Sequence, residues 1–96
     1  MPGRRHCRRV GHQPSFTSFG PATAGSSEPE ETILTIDEFE AVRLKDLEGL
    51  DQNECAALME ISQPTFHRLV ISARKKIADA LTNGKTIKIE GGHYRF

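Results

Sequence analysis

The chain has 96 residues, 36% of them hydrophobic, no tryptophan, and a formal net charge of zero. That length makes one domain, with a core adequate for three or four helices and too small for a large enclosed pocket. No apolar run reaches bilayer-spanning length, the basic start lacks a signal-peptide core, and two cysteines make no secreted disulfide framework. A cytoplasmic protein without membrane contact is therefore expected.

The charge is unevenly placed. Residues 1–27 carry four arginines and no acids, residues 28–60 hold eleven acids against two bases, and residues 61–96 hold seven bases against two acids. Local potential, more than the chain total, governs attraction to phosphate. Residues 1–31 read as a basic arm and an irregular segment. In the arm, Arg4, Arg5, Arg8 and Arg9 are candidate DNA backbone contacts, with a solvated tail as the alternative. Because the stretch beyond the arm is rich in Ser, Gly, Pro and Thr, only Phe16 and Phe19 are expected to touch a core.

Residues 32–96 read as the folded body. Thr35 and Glu38 form a capping box, and Ile36, Phe39, Val42 or Arg43, and Leu47 follow at helical spacing. They predict a helix over residues 36–47 that ends at Gly49 as a left-handed C-cap, with Leu50 packing across the corner. Asp37, Glu38 and Glu40 suit the positive end of that helix and are expected on caps or solvated faces. Asp51 with Glu54 caps a second helix, in which Ala56 and Ala57 permit close approach while Leu58 and Ile61 supply apolar contact.

Ser62 caps a third start, with Pro64 in its first turn, where a missing amide proton does no harm. At 100° per residue one side holds Phe66, Leu69, Val70, Ala73, Ile77, Ala80 and Leu81. The other side holds Arg68, Ile71, Ser72 and Lys75, flanked by Gln63, Thr65, His67, Arg74 and Lys76. Two helices joined across three or four residues are the helix-turn-helix layout, whose second helix enters the major groove. Gln63, Thr65, His67 and Arg68 are the candidate base readers, because Gln can grip adenine and Arg guanine through paired hydrogen bonds. Ser62, Arg74, Lys75 and Lys76 are candidate backbone contacts. Asn83-Gly84 ends the helix. Residues 86–90 then alternate in the strand period, and Gly91-Gly92 predicts a short hairpin returning through residues 93–96.

The segments CRRV at 7–10, LTIDEFEAVRLKDLEGLDQNECAALMEISQPTFHRLVISARKKIADAL at 34–81 and GKTIKIEGGHYRF at 84–96 resemble the domain-of-unknown-function 134 family of small prokaryotic proteins. The resemblance runs nearly end to end, and because Cys7 and Val10 fall within it, packing of part of the arm on the body is a further expectation. The resemblance implies a DNA-binding protein whose helix-turn-helix is similar to the promoter-reading domain of sigma factors.

The expected fold is a mainly α domain: three helices including a helix-turn-helix, a short C-terminal β-hairpin and an irregular basic N-terminal arm. The expected function is sequence-specific binding of double-stranded DNA by a transcriptional regulator, with a homodimer and RNA polymerase as the protein partners this allows. The alternative is a protein-interaction module that uses Leu58, Ile71 and the hairpin edge. His6, Cys7, His12, Cys55 and His93 include metal-ligand types but form neither a C-x-x-C nor an H-x-x-x-H pair, so no metal is expected. No cofactor is implied. Without a nucleophile–base pair or a phosphate-cradling loop, enzyme activity is not expected.

Overall fold

A computed structural model describes residues 7–22 and 29–96. Within them the order is β1 (Arg8–Arg9), β2 (Ser18–Phe19), β3 (Glu31–Leu34), α1 (Ile36–Val42), α2 (Gln52–Met59), α3 (Gln63–Asn83), β4 (Thr86–Ile89) and β5 (Tyr94–Arg95). Three helices dominate, accompanied by short strands.

The helices begin where local chemistry dictates. The Thr35 hydroxyl accepts from the Glu38 amide at 3.3 Å, and Glu38 Oε1 accepts from the Thr35 amide at 2.9 Å. Asp51 and Glu54 repeat this exchange at 2.9 and 3.2 Å. The Ser62 hydroxyl caps α3 by accepting from the Thr65 amide at 3.2 Å. Each cap gives a partner to amide donors that a helix start otherwise leaves unpaired. Gly84, at φ 66°, closes α3.

The first helix departs from the expected uniform run to residue 47. It continues from α1 into a π-helical turn at Arg43–Leu47, where the Glu48 amide donates to the Arg43 carbonyl at 2.9 Å. One extra residue in a turn advances every later side chain by about 100°. Leu44 therefore turns into the core and Leu47, expected inside, is 78% exposed.

The core has two parts joined at Val42. Ala41, Leu44, Cys55, Ala56, Met59, Phe66 and Val70 pack between α1, α2 and α3, and Leu34, Ala73 and Ile89 pack between α3 and the sheet. Leu81, expected on the inward side of α3, is exposed, because Ala80 takes the inward position one step around the helix.

No hairpin links the last two strands, contrary to expectation. β4 is central in a three-stranded sheet, antiparallel to β2 and parallel to β3, so both its edges are occupied. Gly91 and Gly92, at φ 76° and 102°, carry the chain over the start of α1. There the Ile36 amide donates to the Gly91 carbonyl at 3.0 Å. A side chain at Gly92 would collide with Asp37 and Thr35. β5 then pairs in parallel with β1, Arg8 opposite Tyr94 and Arg9 opposite Arg95.

Within residues 7–22, part of the N-terminal segment packs on the body. Val10 is fully buried and its amide donates to the Arg95 carbonyl at 2.8 Å. The Gly11 amide donates to Glu40 Oε2 at 2.9 Å. Phe16 and Phe19 stay largely exposed along the rim of an apolar groove.

Candidate nucleic-acid interface

α3 follows α2 through a tight corner at residues 60–62. Glu60 there adopts the left-handed conformation at φ 60°, unusual for a residue with a side chain. This lets the Ile61 amide donate to the Ala56 carbonyl at 3.0 Å, closing α2 while the chain turns. Phe66, Val70 and Ala73 then anchor one side of α3.

The opposite side of its first turns is open. Gln63, His67 and Arg68 are exposed and Thr65 is half-buried. Ser62 Oγ and Thr65 Oγ1 lie 2.9 Å apart, and one Arg68 guanidinium nitrogen donates to Thr65 Oγ1 at 3.3 Å. Arg68 forms no ion pair among the described residues. Its other donors are available to a ligand, and a guanidinium has five. Leu58 and Ile71 are each about half-exposed.

The backbone-contact candidates divide. Arg74 grips Asp46 through two hydrogen bonds at 3.0 and 2.6 Å, which lower the Asp46 carboxyl and raise Arg74 from their ordinary values. Lys76 donates to Glu38 Oε1 at 2.7 Å. Both cations, expected on phosphates, instead tie α3 to the first helix. Lys75 is exposed and makes no ion pair among the described residues. Ser62 is exposed at the corner.

The acids at the start of the first helix are not on a solvated face. Asp37, Glu38 and Glu40 are all buried, each against a different element. Glu38 accepts from Ser72 Oγ at 2.6 Å as well as from Lys76. Burial pushes its carboxyl up, but hydrogen bonds from Lys76, Ser72 and the Thr35 amide outweigh that and hold it below its ordinary value of 4.5. Glu40 binds the Arg43 guanidinium at 2.8 and 2.9 Å. Asp37 lies 3.5 Å from Arg8. Three adjacent carboxylates are therefore fasteners for α3, the π turn and β1.

Arg4 and Arg5 lie outside the described residues. Arg8 and Arg9 alternate across β1. Arg8 faces α1 and the corner, whereas Arg9 is exposed beside Gly11. Between Arg8 and His93 on one side and the α2–α3 corner on the other lies an open cleft of about 820 Å³. In the sequence His93 stands out only as a metal-ligand type. Its place in this cleft depends on the β1–β5 pairing, which no local pattern signals. Cys55 is buried, which raises its thiol, and Cys7 is exposed. Among the described residues no three His, Cys, Asp or Glu side chains gather as metal ligands.

The family profile described as protein of unknown function DUF134 matches residues 1–96. The chain belongs to the DUF134 family. A UPF0251 protein of Thermoanaerobacter pseudethanolicus is 55% identical over 95 residues, covering 99% of this chain and 80% of that protein. A UPF0251 protein of Moorella thermoacetica is 54% identical over 94 residues, 98% of this chain and 63% of its own length. One from Caldicellulosiruptor bescii is 51% identical over 96 residues, all of this chain and 66% of that protein. No solved structure matches this DUF134 chain. No helix among its described residues is long and apolar enough to cross a membrane.

Proposed function

We propose that this DUF134 protein binds double-stranded DNA sequence-specifically and regulates transcription in the prokaryotic cytoplasm. On this reading α2, the corner and α3 are a sigma-factor-like helix-turn-helix. The observation that carries it is the exposure of Gln63, His67 and Arg68 on the first turns of a helix whose far side is anchored by Phe66 and Val70. A rigid helix presenting paired donors at its N-terminal end fits major-groove reading. Lys75 and Ser62 remain as phosphate contacts on this face, while Arg74 and Lys76 hold the reading helix in position.

Selection of bound sequences from random duplexes at physiological salt tests the proposal. An enriched motif with steeply salt-dependent affinity is expected. Binding without sequence preference, however steep its salt dependence, would sink it. A half-palindromic motif would report a homodimer, and crosslinking to RNA polymerase at a promoter tests that partner. A second reading, as a protein-interaction module, rests on the apolar groove of about 630 Å³ rimmed by Phe16, Phe19 and Leu47. Association with a protein partner that salt hardly weakens would favour it.

A further inference from the structure

The cleft beside the corner has donors that the fold leaves unused. Arg8 lines the cleft with about a quarter of its side chain exposed, and its nearest carboxylate oxygen is 3.5 Å away on Asp37, a pair loose enough that Arg8 Nε and Asp37 Oδ1 are both buried without a hydrogen-bond partner among the described residues. Ser62 and Thr65 share one hydrogen bond between their hydroxyls, so one hydroxyl proton of the pair has no acceptor among the described residues. The His93 side chain, on the strand side, makes no hydrogen bond among the described residues either. Donors from both chain ends and from the helix corner converge on one open space, with Ala56, Ala57 and Ile61 as its apolar floor.

We infer that this cleft receives one backbone phosphate of the DNA, held by Arg8 and His93 from the β1–β5 ribbon and by Thr65 from α3. The inference rests on the DNA-binding reading and adds a second body to its interface: the ribbon, placed beside the reading helix. Phosphate oxygens are acceptors only, so they match the guanidinium, hydroxyl and imidazole groups of Arg8, Ser62, Thr65 and His93 that line this cleft. Asp37 then orients Arg8, as a carboxylate behind a ligand-binding guanidinium does.

The charge balance sharpens the claim. The ribbon's Arg8 and Arg95 are offset by Asp37 and by Glu60, which pairs with Arg95 at the cleft wall. Arg68, hydrogen-bonded to Thr65 and without an ion pair among the described residues, adds its charge to that of Arg8 beside the cleft. Glu60 faces the incoming phosphate as a like charge. Its removal should help the ligand even though it breaks an ion pair.

The test is a salt titration of affinity for a selected duplex, with phosphate-ethylation interference, on the full chain and three variants. Arg8→Gln should lower the slope of log affinity against log salt by about one unit and abolish interference at a single phosphate. His93→Gln should weaken binding several-fold at that same phosphate. Glu60→Gln should tighten binding several-fold at low salt. Unchanged slope and interference in Arg8→Gln, or weaker binding by a normally folded Glu60→Gln, overturns the phosphate site while leaving the helix-turn-helix reading intact. Absence of duplex binding by the unsubstituted chain overturns both. Thermal melting of each variant separates loss of contact from loss of fold.

Discussion

Arg68 and Arg74 lie six residues apart on one helix, yet among the described residues only one has a carboxylate in its grip. Asp46 holds Arg74 through a paired contact, and Arg68 makes one long hydrogen bond to a threonine. Arg68→Ala should therefore weaken binding to the selected duplex by about 1–3 kcal/mol and relax one base preference. Equal loss on every sequence would mean that Arg68 meets only backbone. Arg74→Ala should leave the salt slope unchanged and cost roughly 0.2–1 kcal/mol of stability, since the pair is about two-fifths exposed. Parallel salt titrations and denaturant melts of the two variants measure both effects. The exposure of Arg68 was legible from helical phase alone. Asp46 stands 28 residues from Arg74, and no local pattern announces such a pair.

Elements whose signals lie within a few residues were readable; those assembled from distant pieces were not. The caps at Thr35, Asp51 and Ser62 each close over three residues, and all three form. The π turn inserts one residue without a distinguishing composition, which misassigned Leu47 to the core. Its consequence is measurable. Leu44→Ala should cost about 2–5 kcal/mol, whereas Leu47→Ala should stay within about 0.5 kcal/mol. The reverse ranking in urea melts would mean a regular helix through residues 36–47.

Glu38 adds a pH dependence to the same helix. Its folded carboxyl titrates below its unfolded value, so its contribution is complete above about pH 4.5 and fades as pH falls through the folded value. Glu38→Gln should cost about 1–3 kcal/mol near neutrality, where Lys76 and Ser72 lose a charged acceptor. The variant's melting temperature should also fall less between pH 5 and 3 than that of the unsubstituted chain. Parallel pH profiles would show that Glu38 is not the linked group.

At the scale of the molecule, β1 and β5 complete one another, and this decides what residues 8–10 are for. An arm that served DNA alone could be removed with its charges and leave the fold untouched. Here Val10 is fully buried and β1 supplies the only strand hydrogen-bonded to β5 among the described residues. Burying a valine side chain contributes about 1.5–3 kcal/mol, and a domain of this size loses roughly 4–8 °C per kcal/mol. Starting the chain at Gly11 should therefore lower the melting temperature by on the order of 10 °C. Because that truncation also removes four arginines, Val10→Ala is the sharper companion. It keeps every charge and should still cost about 1.5 kcal/mol, two buried methyl-sized groups at about 0.8 kcal/mol each. A truncated chain that melts unchanged, with only its salt slope reduced, would restore the free basic arm that composition suggested. Loss of stability in both variants, with an unchanged salt slope for Val10→Ala, would establish β1 as part of the core.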